Sequence, residues 1–330
     1  MPTLKEIKGR VGSVQSTLKI TSAMKLVASS KLRRAQNAIE AMRPYEAQLR
    51  HMLATASGAL SAIPGGASVS PSATETGEGP ACANGADFAH GSPENGLWCA
   101  KEVGFAHGAT AIVAFASNSS LCGAFNANAV RTVLQVLQDT PGEVTVFSVG
   151  RKMADAMRKT GHPSPQNFTA VAEHPAYAPM SALADSLMEA FAEGRFSRVL
   201  LVYNHFVSTA RQVPVVEQFL PVAGDTPGYS ALDPPSVMPN VSPGGALPDV
   251  IIEPSPRELL AVLLPKTLKL KLFAALLDSA AAEHAARTVA MQMATDNGND
   301  LLQELVLQYN KSRQQKITAE ILDLAGGQQD

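Results

Sequence analysis

Apolar side chains return at alternating steps of three and four along the first sixty residues. Positions 4, 7, 11, 14, 18, 21, 25, 28, 32, 35, 39, 42, 46, 49, 53, 56 and 60 are apolar except for Thr21, Lys25 and Glu46. A mean period of 3.5 residues keeps such a stripe on one side only if the helix supercoils left-handedly about a partner. At 1.5 Å per residue the tract is roughly 85 Å long, more than the width of a domain of this size. The pattern predicts a rod over residues 1–60 that projects from its own domain.

A second tract with the same stepping closes the chain. It reads Leu270, Phe273, Leu277, Ala280, His284, Arg287, Met291, Ala294, Gly298, Leu301, Leu305, Gln308, Ser312, Gln315, Ala319 and Leu322. Its polar members gather around 284–287 and 308–315, which makes it the weaker seam. Two long tracts at the two ends predict an intramolecular antiparallel coiled coil, with the C-terminal helix over 255–330. Pro265 should kink or break its entry, since proline lacks an N–H and clashes with the preceding turn. Two ordinary amphipathic helices packed on a sheet are the less economical alternative, because globular helices rarely exceed 25 residues.

Between the tracts, 109–220 alternates strand and helix signals. Apolar runs at 110–116, 144–149, 198–207 and 213–219 have strand length and β-branched content. Helical tracts at about 123–138, 150–160 and 179–194 separate the first three strands, an order that indicates a parallel or mixed α/β layer. The predicted class is α/β, a long antiparallel coiled coil of the N- and C-terminal helices plus a small Rossmann-like α/β domain. Residues 61–108 are dense in Gly, Pro, Ser and Ala, and 221–254 is rich in proline. Both read as extended loops with too little apolar surface to fold alone.

Charge changes the picture only locally. The 330 residues carry a net charge of −2, and 17% are charged, so no global field favours nucleic acid or an acidic membrane. Residues 1–34, however, hold Lys5, Lys8, Arg10, Lys19, Lys25, Lys31, Arg33 and Arg34 against the single acid Glu6. A basic helix reads as a nucleic-acid arm, a membrane-surface helix or a face for an acidic partner. One Trp and five Tyr are too few for a base-stacking surface, which argues against nucleic acid. Lysines and Arg10 interrupt any secretory h-region, and no apolar run is long enough to span a bilayer. Three cysteines fit a reducing compartment better than a disulfide framework.

The α/β segment invites a nucleotide, yet neither G-x-x-x-x-G-K-[ST] nor a strand-to-helix G-x-G-x-x-G occurs. The first strand-to-helix turn is Ser117-Asn118-Ser119-Ser120-Leu121-Cys122-Gly123. Its Ser/Asn cluster suits helix capping, and such an N-terminus also suits an anion; capping is the favoured reading. Cys122 reads as a buried cysteine rather than an activated thiol. Cys82, His90, Cys99 and His107 are zinc-ligand types, but their spacing matches none of the usual pairs. No catalytic constellation, resident cofactor or small-molecule substrate is expected on this chain.

The rod ends also carry a resemblance. The run IKGRVGSVQSTLKITSAMKLVASSKLRRAQ at 7–36, with RPY at 43–45, closely resembles the N-terminal helix of the γ subunit of F-type, proton-translocating ATP synthases. EHAARTVAMQMATDNGNDLLQELVLQYNKSRQQKITAEILDL at 283–324 resembles its C-terminal helix, with looser matches in SNSSLCGAFN (117–126) and QVPVVEQFLP (212–221). The resemblance implies a non-catalytic rotary shaft, peripheral on the cytoplasmic face of a bacterial inner membrane. Its coiled coil would enter the ring of α and β subunits, and its α/β domain would stand with ε on the c-ring.

Carried over by motif, Met24, Glu283 and Arg287 would lie at one level, facing the acidic lever loop of β. Arg313, Gln314 and Thr318 would meet a second loop of β, and Asn204, Phe206 and Thr209 would lie near the c-ring and ε. The chain departs from the family before LCG, where Asn118-Ser119-Ser120 replaces an acid and Arg-Gly, and in the length of 61–108. Two other readings stay open at this point: a coiled-coil adaptor with an α/β docking domain, and a nucleotide-dependent enzyme with a degenerate loop.

Overall fold

A computed structural model of the chain describes residues 3–61, 109–222, 252–253 and 255–326. The Cys82, His90, Cys99 and His107 quartet and nearly all of both loop segments lie outside these residues.

Helix α1 (Leu4–Ser61) is continuous. Every described position of its 3.5-residue seam, from Leu4 to Ala56, is buried or half-buried, while Met24, Gln36 and Thr55 alone are shielded among its other described side chains. Its antiparallel partner is α6 (Pro256–Gly326), about 107 Å long at 1.5 Å per residue. Thr295 Oγ1 donates to Thr21 Oγ1 at 3.0 Å, and a methyl group on Gly298 would stand 2.7 Å from Leu18 Cδ2. These two contacts set the register and carry Leu4 to the level of residue 312.

Two expectations for α6 are corrected. Pro265 does not break the helix, which runs through it as α1 runs through Pro44. Leu263 and Leu270, on either side of Pro265, pack with Leu49 of α1, and their burial offsets the lost backbone bond. The seam itself shifts by one residue at alternate steps. Leu302 and Tyr309 are half-buried, while Leu301 and Gln308, which the stepping had chosen, are exposed. Ser312 is the last shielded residue among those described, and 313–322 are exposed because α1 has ended.

The α/β domain is a four-stranded sheet in the order β2-β1-β3-β4. Strand β1 (Ala109–Phe115) pairs in parallel with β2 (Val144–Val149) and β3 (Phe196–Phe206), and β4 (Gln212–Leu220) pairs antiparallel with β3. The unbroken apolar run ATAIVAF suits a central strand covered on both faces. Helices α2 (Phe125–Asp139) and α3 (Arg151–Lys159) cover one face, packing Ala129, Val133, Met153 and Met157 on Ile112, Ala114, Leu200 and Val202. The short α4 (Thr169–Glu173) and α5 (Tyr177–Ala192) lie with the coiled coil on the other. Leu32, Ala35 and Ile39 of α1 and Leu268 to Ala285 of α6 share a core there with Val113, Leu201 and Tyr203. The rod is therefore one layer of the domain, and all of 274–282 on α6 is buried.

Candidate functional site

The strand order reverses at the parallel pair β1 and β3, so the crevice beyond their C-terminal ends is where an open α/β sheet receives ligands. The turn from β1 into α2 leads into that crevice. Ser117 N–H donates to Asn126 Oδ1 at 3.0 Å, and its hydroxyl donates to the Ser119 carbonyl at 2.6 Å. Asn118 caps a different helix from the one expected. Its Oδ1 accepts from Arg151 N–H of α3 at 2.9 Å, and its Nδ2 donates to the Thr169 carbonyl at 2.7 Å. The first residue before α2, Ala124, has no side-chain cap. Cys122 is buried, and Asn126 Nδ2 points at its sulfur at 3.0 Å.

Helix α6 fills most of the crevice. Ala282 and Ala286 pack on Cys122 and Phe125, and small residues allow that close approach. Arg287 then reaches into the turn. Its Nη1 donates to the Ser120 carbonyl at 2.6 Å, and its Nη2 donates to Ser119 Oγ at 2.8 Å and Glu283 Oε1 at 2.7 Å. Burial raises the Glu283 carboxyl above its ordinary value, and the Arg287 guanidinium works against that rise. What remains open is a groove of about 210 Å³ among Phe125, Asn128, Asn204, Gln212 and Val289. That is smaller than the ~300 Å³ at which small-molecule pockets begin.

A second polar tie lies lower on α6. Asp278 accepts Phe206 N–H at 3.0 Å through Oδ1, and its Oδ2 meets His205 Nδ1 at 2.6 Å. Burial raises this carboxyl, while the bond and charge of His205 oppose the rise. Nearer the sheet's other end, Lys271 bridges to Glu217 at 2.8 Å and Lys269 to Asp185 at 2.8 Å.

The residues singled out by motif thus separate. Met24 is half-buried at the edge of the seam, at the level of residue 292. Five residues, about 7.5 Å, part it from Arg287, so the shared level expected of the two is corrected. Glu283 and Arg287 are turned into the β1–α2 turn and do not face outward. Asn204 is buried, donating to the Phe125 carbonyl at 3.2 Å, and the half-buried Phe206 packs on the Cys122 cluster. Thr209 is exposed in the β3–β4 turn, where its carbonyl accepts Gln212 Nε2 at 2.8 Å. Arg313, Gln314 and Thr318 are exposed on the overhang, with the Thr318 hydroxyl bonded back to the Gln314 carbonyl at 2.9 Å. Asp278 escaped the motif reading, while Ser119 and Ser120 entered it only as members of the capping turn. The one available signal was a lone acid within the apolar run LFAALLDSAAA.

Residues 3–329 match the model of a family described as ATP synthase. The ATP synthase gamma chain of Phocaeicola vulgatus is 43% identical over 331 residues, with 99% of each chain covered. The chain belongs to the ATP synthase gamma-chain family. The gamma chain of Flavobacterium johnsoniae is 37% identical over 99% of this chain and 98% of its own length. Two solved structures of the Euglena gracilis mitochondrial ATP synthase share the fold. Its rotor covers 95% of this chain and 98% of its own at 19% identity and a TM-score of 0.55. A chain of its OSCP/F1/c-ring assembly covers 98% and 93% at 19% identity and a TM-score of 0.58. Full-length agreement with gamma chains accounts for a rod that outruns its own domain.

Proposed function

We infer that this chain is the central rotary shaft of a bacterial F-type ATP synthase. It couples proton flow through the membrane c-ring to ATP synthesis and hydrolysis on the β subunits. The observation that carries the reading is the rod itself, a gamma-chain coiled coil whose α6 continues as a bare helix beyond α1. Beyond Ser312 the exposed single helix has no partner among the described residues, and a surrounding α/β ring supplies one. No helix of the described residues is long and apolar enough to cross a membrane, in keeping with a peripheral subunit. We place that subunit on the cytoplasmic face of the inner membrane, with ε and the c-ring below the α/β domain and Thr209 on the side they approach.

Met24, Arg313, Gln314 and Thr318 are the ring contacts this reading favours. Arg313 and Gln314 offer planar donors suited to carboxylates of the ring, and neither has a role in the α1–α6 seam. Replacing both by alanine is expected to lower coupled ATP synthesis in membrane vesicles while moving the isolated chain's melting temperature by less than about 2 °C. Early melting would make the two residues structural, and normal synthesis would remove them from the ring contact. Failure of the wild-type chain to assemble with α and β subunits would overturn the shaft reading as a whole.

A further inference from the structure

A rotating shaft must not slip against the domain that grips it, and α6 is held in its α/β domain by a sleeve of apolar contacts. Around the grip its buried apolar residues include Leu272, Leu276 and Leu277 with Ala274, Ala275, Ala280, Ala281, Ala282, Ala285 and Ala286. Apolar burial is non-directional, so this sleeve supplies most of the hold but fixes the helix's angle about its own axis less sharply than oriented polar bonds do. Two polar ties interrupt the sleeve. Asp278 holds the end of β3 through both carboxylate oxygens, and Arg287 forks onto Ser119 and Ser120. The two residues are nine positions apart, which is two and a half helical turns and about 13.5 Å of rise. They therefore leave α6 on opposite faces, and rolling in either sense stretches one tie or the other.

Resting on the rotary reading, we propose that Asp278 and Arg287 are positioning residues forming a two-point lock, which stops α6 rolling in the α/β domain and hands torque from that domain to the rod. Both ties are charge-assisted and nearly dry, and the guanidinium fork fixes direction as well as distance. The Lys269 and Lys271 bridges are partly exposed and add less, as surface ion pairs do.

The test uses whole synthase in membrane vesicles carrying Arg287→Gln, Arg287→Lys or Ser119→Ala. Ser119 belongs to the turn and not to the rod, so its variant loosens the lock without altering any rod residue. Two quantities are read: protons pumped per ATP hydrolysed, and hydrogen exchange of residues 117–123. Arg287→Gln is expected to raise exchange in the turn about tenfold, the effect of losing a charge-assisted bond. It should also lower the pumping ratio severalfold while ATP hydrolysis continues. Arg287→Lys should fall between Arg287→Gln and wild type, and Ser119→Ala should move both readouts the same way by less. Raised exchange with an unchanged pumping ratio would reduce the ties to ordinary stability. A lowered ratio with unchanged exchange would transfer the role of Arg287 to a contact outside the chain. If Arg287→Gln does not assemble, the same two outcomes for Ser119→Ala decide. Absence of pumping in the wild-type synthase would instead sink the shaft reading, before any variant is compared.

Discussion

A methyl group on Gly150 would stand 2.0 Å from the Ala116 carbonyl oxygen, and the backbone there holds φ at +104°. Both the close approach and the dihedral exclude a side chain, so Gly150→Ala is expected to cost more than about 3 kcal/mol in chemical denaturation. His284 gives a pH signature. Burial, with Lys31 of α1 and Arg287 nearby, pushes its imidazole down to about 4, and its Nδ1 has no hydrogen-bond partner among the described residues. The unfolded chain takes up that proton near the ordinary value of 6.5, so between 6.5 and 4 the unfolded state binds more protons. Stability is full above pH 6.5 and falls as the pH drops toward 4. Asp278 and Glu283, raised by burial, act with the opposite sign and lose stabilisation as pH rises through their values. His284→Leu removes only the first effect. It should shrink the stability lost between pH 7 and pH 5 by about 2 kcal/mol, measured by denaturant titration at each pH. An unchanged pH dependence would mean that His284 is not held neutral.

At the scale of elements, the two long helices differ in how well a stepping rule describes them. Along α1 the apolar residues are unambiguous, and the buried stripe follows them for the whole described length. Along α6 the rule met adjacent leucines at 301 and 302, and only the partner helix could choose between them. The contacts of Leu18 and Thr21 with Gly298 and Thr295 turn Leu302 inward and leave Leu301 46% exposed. Leu302→Ala should therefore cost about 2 kcal/mol of the isolated chain's stability, while Leu301→Ala should change it by less than about 0.5. Equal losses would contradict the register. Proline at 265 is misleading for a related reason: its local cost of about 3 kcal/mol is offset by leucines that meet Leu49 from a distant part of the chain.

For the molecule as a whole, the coiled coil serves both as rod and as a layer of the α/β core, so unfolding one exposes the other. Residues 66–104 enter neither by sequence pattern, since they lack any apolar period. Shortening that segment should leave assembly with α and β subunits intact, because closure entropy changes only slowly with loop length. Loss of the shortened chain from the complex in a pull-down would show instead that the segment takes part in assembly.

The sequence by itself determined the rods, the α/β class and the strands of the sheet, because each rests on a local period that burial then reinforces. Its motifs also identified the family. It left undecided what Arg287, Glu283 and Asn204 touch, since a motif records which residue is present and not which way it faces. Arg287 was assigned outward and lies inward because the turn at Ser119 and Ser120, some 167 residues away in sequence, offers it a carbonyl and a hydroxyl. The capping role of Asn118 moved from α2 to α3 for the same reason: the donor its Oδ1 meets, Arg151 N–H, lies 33 residues away along the chain. Local patterning fixed the elements, and only their packing decided which polar groups meet.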